Sequence, residues 1–184
     1  RQARAIALAN LGRIDEARVE RDKATAALEA VQESRMVFNN TAADVLAVGA
    51  AMMEGELAYK AGDIEVGLNH LRRSVELDDA LLYDEPWGWM QPTRHALGAL
   101  LMDAHQFEEA EAVYRADLGL DDTLARPCQH PRNVWSLHGL HECLVKRGEL
   151  TEAKHIRLQL DQAMARATVP IRASCYCRTG ARAA

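Results

Sequence analysis

His105-Gln-Phe-Glu-Glu-Ala110 and Gly148-Glu-Leu-Thr-Glu-Ala153 are the stretches that decide the fold of this chain. Each begins with a turn residue, places an apolar residue two positions on, and ends in a small residue three further along. The arrangement also stands at Gly12-Arg-Ile-Asp-Glu-Ala17 and Gly62-Asp-Ile-Glu-Val-Gly67. Gly supplies the positive φ that ends a helix. Acids just beyond it suit the positive end of the next helix. The small residue then lets two helices approach closely.

Outward from each turn, apolar residues recur at helical spacing. Phe107, Ala110, Val113, Tyr114 and Leu118 form one stripe; Ile64, Leu68, Leu71 and Val75 a second; Leu150, Ala153, Ile156, Leu160 and Met164 a third. Upstream of three turns lie further helical runs, at residues 45–60, 93–104 and 134–147, and Thr41-Ala-Ala-Asp44 reads as a capping box opening the first of them. No segment alternates as a strand would. The turns recur after 50, 43 and 43 residues, at Gly12, Gly62, His105 and Gly148. Asp78 and Asp79 recur at the same interval as Asp121 and Asp122, which reads as a feature of repeat ends.

This series resembles the tetratricopeptide repeat family. The likeness covers residues 1–165 and is carried by the Gly–x–apolar–x–x–small pattern, by Tyr114 four residues after Ala110, and by the helix-pair length. It departs from the family in its period, which is about 34 residues there, and in having His105 for a turn Gly. The excess lies in linkers at 78–91 and 118–132. Sel1-like and other helical-pair arrays share the pattern. The resemblance implies an all-α fold, a right-handed α–α superhelix of tetratricopeptide-like hairpins. Its repeats would be about 1–33, 41–78, 92–118 and 132–165, followed by a C-terminal tail, 166–184. Such hairpins cover their apolar stripes only by stacking on neighbours, and the first helix of each pair would line a concave face.

Met52, His95 and His138 stand 43 residues apart, and the resemblance turns this column into the groove. Trp135 lies three residues before His138, on the same helix face. Together they would grip apolar side chains and exchange hydrogen bonds with a protein or peptide partner. The family's clamp for an acidic C-terminal peptide needs Lys and Asn. The matching positions here hold Met52, His95 and His138, then Glu56, Ala99 and Glu142, so that clamp is absent. In the loop Tyr83-Asp-Glu-Pro-Trp-Gly-Trp-Met-Gln-Pro92, proline and glycine predict an ordered bend. Trp87 and Trp89 would contact a ligand at the groove mouth or plug the space between repeats.

A second reading is a metal-binding (Zn or Cu) or cysteine-dependent protein. It uses Cys128-x-His130, His138-x-x-His141-x-Cys143 and Cys175-x-Cys177, whose donors suit soft metals. The spacing argues against a local site: Cys143 lies around the helix from His141, and Cys175-x-Cys177 is tighter than a zinc pair. The phosphate-binding Gly loop, the GxSxG elbow and HExxH are missing. The expectation is a binding scaffold rather than an enzyme, without a cofactor. The net charge of −5 and scattered Arg give no basic stripe for nucleic acid. No apolar run reaches the ~20 residues of a membrane span. Four unevenly spaced Cys predict reduced thiols and a cytoplasmic protein. Residues at Arg1 already read as helix with no signal peptide before them, so the chain is expected to be the C-terminal part of a longer one.

Overall fold

The four turns close in one way. The structure, a computed structural model, describes residues 1–178. In it Gly12, Gly62, His105 and Gly148 have φ of 75°, 102°, 60° and 79°. One residue beyond each, a backbone N–H reaches back over the helix end: Arg13 to the Leu8 carbonyl (2.9 Å), Asp63 to Ala58 (3.0 Å), Gln106 to Leu101 (2.9 Å) and Glu149 to Leu144 (2.9 Å). This is the bond that satisfies orphan carbonyls behind a left-handed cap. His105 takes the left-handed conformation without being glycine, which places it as the true equivalent of the other three.

Around these turns eight α-helices form among the described residues. They are α1 (Gln2–Asn10), α2 (Ile14–Glu29), α3 (Ala42–Ala61), α4 (Ile64–Asp79), α5 (Thr93–Asp103), α6 (Phe107–Leu118), α7 (Val134–Arg147) and α8 (Leu150–Met164). Each turn joins the helices of one pair. The chain is all-helical, as its periodicity predicts. Ala17, Gly67, Ala110 and Ala153, the small residues of the motif, are all buried. In the second pair the approach leaves no room for a side chain: a Cβ on Gly67 would lie 2.7 Å from the Tyr59 nitrogen. Of the apolar residues opening each second helix, Ile14 and Phe107 are half-buried, whereas Ile64 and Leu150 are exposed.

The chain divides into two compact units, Arg1–Thr93 and a second beginning at Arg94. In the first, α1 and α2 both pack against α3, burying Leu8, Ala9, Ala17 and Leu57 in one cluster and Ala5, Ala24 and Met53 in another. In the second, α6 packs against α7 and α7 against α8. Leu100, Tyr114, Leu137, Leu140 and Leu144 are among its fully buried side chains.

Two details differ from the sequence reading. Met36–Val37 and Asn40–Thr41 pair as short antiparallel strands, β1 and β2, too brief for alternation to show in sequence. Asp78 and Asp79 end α4, whereas Asp121 and Asp122 lie beyond Leu118, the last residue of α6. Helix α6 is four residues shorter than α4, 12 against 16, so these acids are not equivalent repeat ends. The Thr41 cap forms as expected. Its Oγ1 accepts the Asp44 backbone N–H at 3.0 Å and donates to Asp44 Oδ2 at 2.6 Å. No helix among the described residues is long and apolar enough to cross a membrane.

Candidate functional site

Helix α7 starts at a well-made cap. Asn133 holds an extended backbone and its side-chain oxygen accepts the Ser136 N–H at 2.8 Å. From there His138, His141, Glu142 and Val145 share one face at helical spacing, and α8 offers Arg157, Leu160, Asp161 and Met164 at the same spacing. With Lys146 and with Ile171 from the tail, these two faces line a cavity of about 360 Å³. Its wall combines apolar surface with convergent polar groups, the make-up of a ligand seat.

The electrostatics follow from burial. Loss of water pushes His138 below the usual imidazole range, against the pull of Glu142. His141 is lowered by burial and then by Arg157. Both rings are therefore neutral at neutral pH, each able to donate from one nitrogen and accept at the other. Burial would raise the Glu142 carboxyl, but the hydrogen-bonded Arg178 guanidinium holds it below its ordinary value. That pair is bidentate, with both N–O distances 2.8 Å. His138 Nδ1 is shut from solvent and has no hydrogen-bond partner among the described residues. A buried polar atom left so costs roughly 1–3 kcal/mol.

Compared with family models, curated proteins and solved structures, the chain matches none.

The column of Met52, His95 and His138 occupies equivalent turns of α3, α5 and α7, ten residues before each turn residue, yet the three environments differ. Met52 is 1% exposed. The Trp89 indole covers it and donates from Nε1 to its sulfur at 3.1 Å. Trp89 also fills the space over Gly49, where a Cβ would fall 2.2 Å from the ring. It is the plug of the first unit, while Trp87 is 45% exposed. His95 is 7% exposed and engaged with Asp117. Met52 and His95 are thus covered side chains with partners of their own, and His138 lines the α7–α8 cavity. Trp135 meets the Tyr176 ring edge-on, 5.3 Å between centroids.

Asp117, which sequence reasoning missed, organises the second unit. It is 1% exposed. Its Oδ2 receives Ser136 Oγ at 2.5 Å, Asn133 Nδ2 at 2.8 Å and His95 Nε2 at 3.1 Å; its Oδ1 receives His130 Nδ1 at 2.7 Å. Burial acts to raise its pKa, but the hydrogen bonds from His130, His95 and Ser136 outweigh that and hold it well below the carboxylate range. An ionised carboxylate only accepts, so these ring nitrogens carry the protons. The centre ties the linker after α6 to the start of α7. The signal for it was an acid standing seven residues after Ala110, inside the apolar stripe.

The metal candidates do not converge. His130 is turned to Asp117, His141 to the cavity, and the Cys177 N–H donates to the Cys175 sulfur at 3.2 Å. Cys143 is buried, donates to the Phe107 carbonyl at 3.1 Å, and its thiol is pushed up to about 11, chiefly by burial. Cys128 is half-buried, and none of the four cysteines is in a disulfide. No group of three or more His, Cys, Asp or Glu disposed to hold a metal occurs among the described residues.

Proposed function

We propose that this chain is a protein- or peptide-binding scaffold of tetratricopeptide-like hairpins, and that the cavity on the α7–α8 face receives a side chain of its partner. One observation carries the reading: an open cavity of about 360 Å³ walled by His138 and His141 together with apolar side chains of α7, α8 and Ile171. Its apolar surface from Val145, Leu160, Met164 and Ile171 suits an aliphatic or aromatic side chain. The charged groups around it, Lys146, Arg157 and Asp161, suit the polar backbone of a peptide. The same reading includes a right-handed superhelical stacking of hairpins, a cytoplasmic setting, and neither nucleic acid nor membrane as partner.

The test is selection from a displayed random-peptide library on the full chain, followed by affinity measurement on variants. Peptides selected on the native protein should bind Val145→Trp, which fills the cavity, and His138→Ala at least about tenfold more weakly. Selected peptides that bind both folded variants as well as the native chain would remove the cavity from the function.

A further inference from the structure

After Met164 the chain runs through exposed residues and then turns inward. Ile171, Ala173, Ser174, Cys175 and Cys177 are buried, although among the described residues the only regular structure beyond α8 is a 3₁₀ turn at Tyr176–Arg178. Side chains, not a backbone ladder, hold this segment. Its central contact is Ser174, 2% exposed. The Ser174 hydroxyl lies 2.7 Å from the Tyr114 hydroxyl and 3.2 Å from the His95 carbonyl, to which it donates.

The route of Tyr114 shows which surface the tail covers. Its ring leaves α6 and passes between α5 and α7 where both lack a side chain. A Cβ on Gly98 would lie 2.5 Å from the ring and one on Gly139 2.2 Å. The hydroxyl therefore emerges on the side of α5 and α7 away from α6, and there Ser174 meets it. Four residues on, Arg178 forms its bidentate pair with Glu142 of α7, while Tyr176 stays exposed with its edge on Trp135.

We infer that the α5–α7 face of the second unit is a receptor for an extended peptide, and that residues 173–178 are its built-in occupant. The inference goes beyond the proposed function and does not depend on the α7–α8 cavity, since it names the chemistry of a partner for another face. A competing segment would present a small hydroxyl residue to Tyr114, small apolar side chains beside it, and a guanidinium four residues later for Glu142. A hydroxyl is selected because the Tyr114 O–H makes its hydrogen bond with Ser174 Oγ, at 2.7 Å. The guanidinium is selected by Glu142, whose two carboxylate oxygens each accept one N–H of Arg178 at 2.8 Å.

The probe is a fluorescein-labelled peptide of residues 168–178, added to the full chain and followed by anisotropy. The tethered tail competes at an effective concentration of about millimolar, so the native chain should bind the probe weakly. Arg178→Ala, and Ser174→Ala with Arg178→Ala, leave the receptor intact and should bind it about tenfold or more tightly. Amide exchange of residues 173–178 should quicken in the same variants. Adding Glu142→Gln, or using a probe with Gln for the arginine, should abolish the gain. The inference is overturned by a released tail without tighter probe binding, by a gain indifferent to Glu142, by a tail that stays protected in both variants, or by loss of the fold on the Arg178 change alone, which would make the segment core. If Val145→Trp leaves library-peptide binding unchanged while this probe still responds to tail release, the cavity reading fails and the α5–α7 receptor stands.

Discussion

At the scale of single residues, Asp117 concentrates the most interaction in the least space. Four donors converge on one carboxylate, from α5, from α7 and its cap, and from the linker between α6 and α7. An Asn there would turn an amide N–H₂ toward groups that donate to the carboxylate in the native chain. Asp117→Asn is expected to cost about 3 kcal/mol at neutral pH, the scale of breaking a buried charged network. The sign of its pH dependence is fixed by the lowered pKa. A carboxyl depressed in the folded state contributes its full stability above its unfolded pKa, about 4, and loses it as pH falls through the folded value. The difference between native and variant unfolding free energies should hold steady from pH 7 to about 5 and shrink in more acid solution. Urea titrations at a series of pH values measure this. A gap that widens on acidification would mean the carboxyl is protonated in the native state.

At the scale of elements, the second unit is registered by one ring. Tyr114 passes between α5 and α7 only because Gly98 and Gly139 leave the gap. An exposed mid-helix Gly→Ala change stabilises by up to about 1 kcal/mol. At Gly139 the sign should reverse. The added methyl would sit 2.2 Å from the ring, and overpacking of this kind costs about 1–3 kcal/mol. Combining it with Tyr114→Leu, which empties the gap, should remove at least half of that cost, a coupling of about 1 kcal/mol in a double-mutant cycle. Additive behaviour, or stabilisation by Gly139→Ala, would show that the ring does not lie between the helices.

Across the whole molecule, what was legible in the sequence was whatever a local motif specifies. The turn residue, the acids after it and the small residue three positions past the apolar one determine where a helix pair bends and where its members touch. Six residues at each turn carried that information, and the helix pairs bend at Gly12, Gly62, His105 and Gly148. The candidate site was legible only in part. His138 and His141 share a helix face that spacing reveals, but the burial that makes them neutral comes from α8 and the tail. Asp117 has partners 13 to 22 residues away, brought to it by an aperiodic linker, and Ser174 reaches His95 across 79 residues. No periodicity encodes such meetings. The same division between local and distant contacts sets the response to salt. Arg13–Glu16, Arg18–Asp15, Arg73–Glu76 and Arg157–Asp161 join residues three or four apart on one helix, with side chains half or more exposed. Such exposed pairs contribute little to stability, and salt screens them. Apolar burial and the enclosed Asp117 and Glu142 contacts are screened far less. Raising NaCl from about 0.05 M to about 0.5 M, which shortens the Debye length roughly threefold, should therefore change the unfolding free energy by no more than about 1 kcal/mol. Denaturant midpoints in urea, which adds no ions, measure it. A loss of more than about 2 kcal/mol would mean that surface charge carries stability assigned here to the packed stripes and the buried carboxylates.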